Sequence, residues 1–77
     1  MKAYLFIATS SEEEQKVVDS IQQFPEVEKA NIVFGEWDIV ALLETESPEK
    51  LGSFVMEKIR KLPEVRLTST MILWDSS

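Results

Sequence analysis

Phe24-Pro25-Glu26-Val27 and Leu62-Pro63-Glu64-Val65 stand 38 residues apart in a chain of 77, and the fold follows from what surrounds them. At the same offset Val17 matches Val55, Ile21 matches Ile59, Ala3 matches Ala41 and Leu5 matches Leu43, which makes seven identities over 39 aligned positions. The chain therefore reads as two copies of strand–helix–strand. In each copy the proline ends a helix, because the residue before a proline avoids the α region. The valine that follows opens a strand.

Upstream of the first junction, residues 2–9 are β-branched and aromatic enough for a strand. Ser11 stands three residues before Glu14, the capping-box spacing, and Glu12, Glu13 and Glu14 suit the positive end of a helix dipole. Val17, Val18, Ile21 and Phe24 then fall on one helical face. Residues 27–34 predict a second strand, and Gly35-Glu36 a tight hairpin into a third over residues 37–44. Ser47-Pro48-Glu49 reads as a helix start, with serine as N-cap, proline at the first helical position and a carboxylate in the first turn. Leu51, Phe54, Val55, Ile59 and Leu62 form its apolar face, and Lys58, Arg60 and Lys61 sit where the dipole favours cations. Residues 65–74 predict the last strand. The order βαββαβ is that of a single α+β domain over residues 1–77, a ferredoxin-like sandwich. Its four-stranded antiparallel sheet carries both helices on one face.

Two helices cover one sheet face only, and a wet second face should alternate apolar with polar residues. Here Ile39, Ala41 and Leu43 oppose Val40 and Leu42, while Ala3, Leu5 and Ile7 oppose Tyr4, Phe6 and Ala8. Ile32 and Phe34 oppose Val33, and Leu67, Met71 and Leu73 oppose Ile72 and Trp74. A bare four-stranded apolar face exceeds the roughly few hundred Å² that monomers tolerate. The expectation is therefore a dimer packed through the helix-free face, because a two-fold interface uses one patch twice.

Composition removes several functions. The chain has no cysteine and no histidine, so disulfides, zinc ribbons and Cys/His nucleophilic sites are excluded. Eight basic against fourteen acidic residues, a net charge of −6, argue against direct nucleic-acid binding, which needs a basic face. No run is long enough to span a bilayer, and no signal peptide is visible. The expectation is a cytoplasmic domain that uses no cofactor and binds no metal. Glycine-rich phosphate loops and a Ser/His/Asp set are missing, so the chain does not read as an enzyme.

Two stretches carry candidate binding chemistry. In Phe34-Gly35-Glu36-Trp37-Asp38, Gly35 supplies a positive φ for a turn. Asp38 lies at the rim of an apolar strand, where its carboxylate suits either a ligand ammonium group or its own turn amides in an Asx-type motif. Thr68-Ser69-Thr70 puts two hydroxyls on one sheet face and one on the other. Such hydroxyls fit β-propensity, and equally fit a ligand carboxylate.

These elements in this order resemble the effector-binding domain of the leucine-responsive regulator/AsnC (Lrp/AsnC) family, also called the RAM domain. The resemblance rests on Val-Phe-Gly-Glu-Trp-Asp-Ile-Val-Ala, the two Pro-Glu-Val junctions and Thr-Ser-Thr-Met-Ile-Leu, and it covers essentially the whole chain. It implies sheet-to-sheet dimers that associate into octamers or decamers, with amino acids or related small effectors bound between dimers near the Gly-x-x-Asp turn. Carried over, Gly35 and Asp38 fall on that turn, with Phe34, Glu36 and Trp37 beside it and Thr68, Ser69 and Thr70 as polar partners. Asp38 is expected to meet an α-ammonium. Full-length members begin with a helix-turn-helix, whereas this chain starts at the first strand. The resemblance is therefore to stand-alone modules, which would sense an amino acid and co-assemble with full-length Lrp/AsnC regulators without binding DNA. Two other readings share the strand–helix order. An ACT-type amino-acid-binding module usually has a glycine where Ala8-Thr9-Ser10 stands, and a dimeric ferredoxin-like enzyme usually needs a histidine.

Overall fold

Alternation decides which way each strand faces, and the computed structural model, which describes residues 1–10 and 12–74, follows it closely. Strand β1 is Lys2–Thr9, helix α1 Glu14–Ile21, β2 Val27–Ile32, β3 Ile39–Glu44, α2 Pro48–Phe54 and β4 Val65–Ile72. The four strands form one sheet in the order β2-β3-β1-β4 with every neighbouring pair antiparallel. Both helices pack on one face, against Ala3, Leu5 and Ile7 of β1 and Ile39, Ala41 and Leu43 of β3, all of them buried. Val17, Val18 and Ile21 of α1 meet Leu51, Phe54, Val55 and Ile59 in the same core. Phe24, just past α1, sets its ring edge-on against Phe54 at a centroid distance of 5.5 Å.

The helix ends obey local chemistry. Ser47 caps α2 by accepting a hydrogen bond from the Lys50 N–H at 3.2 Å, with Pro48 in the first turn. The predicted capping box of α1 involves Ser11, which lies outside the described residues. Helix α1 begins at Glu14, behind Glu13, whose side chain makes no capping hydrogen bond. Beyond Phe54 the second helix continues as a π-helical turn, Val55–Ile59, in which the Arg60 N–H reaches back five residues to the Val55 carbonyl at 2.8 Å.

The repeat is visible in three dimensions. At the first junction the Phe24 and Val27 N–H groups bond to the carbonyls of Ile21 and Phe24. At the second, the Leu62 and Val65 N–H groups bond to Ile59 and Leu62, and all four distances are 3.1 Å. Both second strands also carry a bulge directly afterwards. Glu28 is skipped as β2 pairs Val27 with Leu43 and Lys29 with Leu42, and Arg66 is skipped as β4 pairs Val65 with Thr9 and Leu67 with Ala8. The equivalent of Leu43 is therefore Thr9, not Leu5, and that of Ala41 is Ile7, not Ala3. The shift has a simple cause. The first helix has eight residues and the second has seven plus the five-residue π turn, one extra turn that moves the offset of the preceding strand by four. Four is even, so inward positions stay inward.

Three predicted strand boundaries are corrected. Strand β2 stops at Ile32 and β3 starts at Ile39, so the connection is a longer loop than a two-residue hairpin. It is closed by the Val33 N–H bonding to the Asp38 carbonyl at 2.9 Å. Strand β4 ends at Ile72. The helix-free face is apolar over three strands rather than four. Cross-strand pairing aligns Met71, Tyr4 and Leu42 in one row and Ser69, Phe6 and Val40 in the next, with Leu67 beside Ala8. On the edge strand β2 the residues opposite Leu42 and Val40 are Lys29 and Asn31, polar groups of the kind that blunt a free sheet edge.

An ion pair ties α1 to the second junction, with Lys16 Nζ lying 3.0 Å from a Glu64 carboxylate oxygen. The hydrogen bond and charge of Lys16 hold the Glu64 carboxyl below its usual range, and Glu64 in turn raises Lys16. A depressed carboxyl stabilises the fold above its unfolded pKa and loses that contribution as pH falls through its folded pKa. Urea unfolding at stepped pH should therefore find Glu64→Gln less stable than the parent at neutral pH, with the gap closing on acidification. A gap independent of pH would show that charge is not what Glu64 contributes.

Candidate functional site

The loop between β2 and β3 is built on Gly35, whose φ of +151° is a conformation that side-chain-bearing residues avoid. Phe34, immediately before it, is fully exposed. Glu36 is exposed at the tip. Trp37 turns back onto the helix-free face, where its ring lies 6.1 Å from that of Phe6 at an interplanar angle of 44°.

Asp38 does something the sequence did not anticipate. Its Oδ2 accepts hydrogen bonds from the Thr9 backbone N–H at 2.9 Å and from the Thr9 hydroxyl at 3.4 Å. Its own N–H donates to the Ile7 carbonyl at 3.0 Å. The carboxylate therefore reaches across to the end of β1, where the β1–β4 register shifts, instead of binding amides of its own turn. Its other oxygen accepts no protein hydrogen bond among the described residues. A carboxylate offers about four acceptor sites, so a half-buried Asp38 retains capacity for a further donor.

The hydroxyls divide as alternation requires. Thr68 pairs with Ile7 and Thr70 with Leu5, which puts both on the helix side, while Ser69 pairs with Phe6 on the open side. Within one chain, then, Phe34, Gly35, Glu36, Trp37 and Asp38 share one loop, and Ser69 shares the helix-free face with Trp37. Thr68 and Thr70 lie on the opposite face of the edge strand.

Thr68 and Thr70 instead line a groove of about 340 Å³ between α2 and β4, together with Ile72, Val55, Met56 and Arg60. Sequence reading assigned Arg60 only to the helix dipole. The signal was nevertheless present in the repeat, since Arg60, Thr68 and Thr70 stand where the first copy has Gln22, Ala30 and Ile32. A larger groove, about 400 Å³, lies at the other end of the sheet and is lined by Pro25, Glu26, Glu44, Thr45, Glu46 and Lys50. Its acidic character is offset in part by two lysines. Lys50 sits 2.7 Å from Glu46 and holds that carboxyl below its usual range. Glu28 nearby is lowered by a hydrogen bond shared with Glu44 and by Lys2 at 3.3 Å. Among the described residues no group of three or more acidic side chains is arranged to hold a metal ion, and no helix is long and apolar enough to cross a membrane.

The strand order, the single helical layer and the polar loop at the rim of an apolar face define a ferredoxin-like α+β domain. A family model described as the Lrp/AsnC ligand-binding domain matches residues 2–76, and the chain belongs to that family. Over 59 residues it is 36% identical to an uncharacterised helix-turn-helix-type transcriptional regulator of Pyrococcus furiosus, a match covering 77% of this chain and 39% of the regulator. The chain thus spans about two fifths of the length of that curated relative. The crystal structure of FFRP-DM1 superposes with a TM-score of 0.90 at 39% identity, covering 94% of this chain and 96% of that one. The fold also recurs in an L-methionine complex of the transcriptional regulator NMB0573 from Neisseria meningitidis, with a TM-score of 0.88 at 14% identity, over 97% of this chain and half of that one.

Removing the Asp38 carboxylate leaves the buried Thr9 amide without its acceptor, so Asp38→Ala should cost about 1–3 kcal/mol. Gly35→Ala has free space for its Cβ but should still lose roughly 1–3 kcal/mol to backbone strain. Urea denaturation measures both, and an unchanged midpoint for Asp38→Ala would mean that the Thr9 contacts contribute nothing to stability.

Proposed function

We propose that this domain senses a small effector of the amino-acid class and converts its binding into association between copies, in the service of Lrp/AsnC-type transcription regulation. The observation that carries this reading is the Phe6–Trp37 contact. It joins the loop that holds Asp38 to the apolar helix-free face, so an effector at the loop and a second copy on the face share residues. Asp38 offers its free oxygen to an α-ammonium, Gly35 leaves the backbone open to approach, and Phe34, Glu36 and Trp37 frame the site. Hydroxyls of Thr68, Ser69 and Thr70 supply further polar contacts, Thr68 and Thr70 to groups arriving on the helix side.

The apolar rows of β4, β1 and β3 pack against those of a second copy to form a dimer, and dimers associate further into rings such as octamers or decamers. Full-length Lrp/AsnC regulators join through the same surfaces. The domain contacts no nucleic acid itself, in keeping with a net charge of −6. It works in the cytoplasm as a regulator and not as an enzyme. The family's ligand-binding role, the regulator of Pyrococcus furiosus and the L-methionine complex of the Neisseria meningitidis protein support this reading.

Light scattering after size exclusion, with the protein alone and then with each amino acid in turn, tests it. The expected result is a dimer or larger species whose mass or thermal midpoint moves with one or a few amino acids. Val40→Lys should yield a folded monomer. Asp38→Asn keeps an acceptor for the Thr9 amide while removing the charge, and should abolish the amino-acid response with assembly intact. A monomeric parent protein, or an oligomer that no amino acid moves, would overturn the proposal.

A further inference from the structure

We propose that the end of the domain where α1 starts and the second helix finishes makes a charge-paired, two-fold contact with the same end of a second copy. The two chains belong to neighbouring face-paired dimers, so the place of this contact rests on the association proposed above. The distribution of cations points to it first. Four of the chain's eight basic residues, Lys58, Arg60, Lys61 and Arg66, fall within residues 58–66, and all four are exposed. The ion pairs among the described residues use Lys2, Lys16 and Lys50 instead. A helix dipole accounts for cations beside Ile59, but not for Arg66, which sits in the β4 bulge. An unpaired basic cluster in a chain of net charge −6 fits an acidic partner.

Such a partner surface is present on the same molecule. Glu12 and Glu13 precede α1 and Glu14 opens it, and the topology brings them to the same end. The Ser10 N–H bonds to the Glu64 carbonyl at 2.9 Å, and Lys16 of α1 pairs with the Glu64 carboxylate at 3.0 Å. Glu64 lies between Lys61 and Arg66 in the chain, so an acidic and a basic patch are fixed side by side, bridged by one ion pair. Among the described residues Glu12, Glu13 and Glu14 form no ion pair within their own chain. Exposed Glu12 is held at φ +62°, a left-handed conformation that side-chain-bearing residues seldom adopt and that collects at functional positions.

An end face with an acidic half and a basic half is complementary to itself. Turned by a two-fold axis, it sets the acidic half of each copy on the basic half of the other, so every pairing is made twice. One such contact is small and open to screening by salt. Each face-paired dimer presents two of them, and closing a ring joins them into one multivalent set. A lone chain whose faces are split therefore stays monomeric, as expected for Val40→Lys.

Analytical ultracentrifugation of the full chain at about 0.05 M and about 0.5 M NaCl tests the contact, because the screening length falls roughly threefold between them. The expected result is an assembly larger than a dimer at low salt that falls to a dimer at high salt, at least about a twofold loss of mass. Apolar face pairing is not screened and keeps the dimer. Lys61→Glu with Arg66→Glu, and separately Glu12→Lys with Glu13→Lys, should each give dimers at low salt with unchanged circular dichroism. Mixing the two variants should restore the larger species, since each altered half then meets an altered half of opposite sign. A dimer at both salt concentrations would leave the basic cluster to a different acidic partner and overturn the proposal. An assembly indifferent to salt or to the charge reversals, or a mixture that stays dimeric, would also overturn it. A monomer at both concentrations would overturn the face pairing as well, which separates the two failures.

Discussion

Two short helices can bury only one face of a four-stranded sheet, and in this domain the other face is apolar across its three strands β4, β1 and β3. Everything else in the structure answers to that constraint. The covered face holds a dry core in which Leu5, Ile7, Ile21, Ile39, Leu43 and Ile59 are sealed from solvent. The uncovered face carries Tyr4, Leu67 and Met71 into water, apolar area whose burial would be favourable. Only β2, with Lys29 and Asn31, is finished as a solvent edge. A domain this small buries a modest fraction of its surface alone, and the second copy proposed above would add the burial that its own length cannot supply.

The near-two-fold repeat gives the frame, and the departures from it give the chemistry. The second helix, its π turn included, is four residues longer than the first, and a groove lies between α2 and β4, whereas α1 closes on β2. The departures at Arg60, Thr68 and Thr70 fall along that opened seam. At the other break in symmetry, the β2–β3 loop, Asp38 is anchored on Thr9 by one carboxylate oxygen, which fixes its orientation and leaves the second oxygen available. A charged group on an otherwise apolar rim is costly unless it is hydrogen-bonded. The Thr9 amide and hydroxyl are what make Asp38 tolerable there.

The fold was legible because each element carries its own local signal. Pro25 and Pro63 mark the junctions, although the helices already end four residues earlier, at Ile21 and Ile59; Ser47-Pro48 starts a helix, and alternation in β1 and β3 assigns their faces without knowledge of the partners. The candidate site was legible only in part. Gly35 was recognisable as a turn residue, and the split of Thr68 and Thr70 from Ser69 follows from the period of two. The acceptor role of Asp38 toward Thr9 was not visible, because the two are 29 residues apart and meet only through strand pairing. Arg60 was hidden behind an ordinary reading as a helix-end cation.

By itself, the sequence determined the element order, the inward residues and the apolar character of the second face, since these rest on local backbone preference and on periodicity. Tertiary structure decided the register of the repeat, the opening of one helix–strand seam and not the other, and the division of the polar residues between two places. Those outcomes depend on how far a helix extends before its chain turns back and on which strands lie side by side. Both are set by packing across the whole domain, and no window of local sequence contains them.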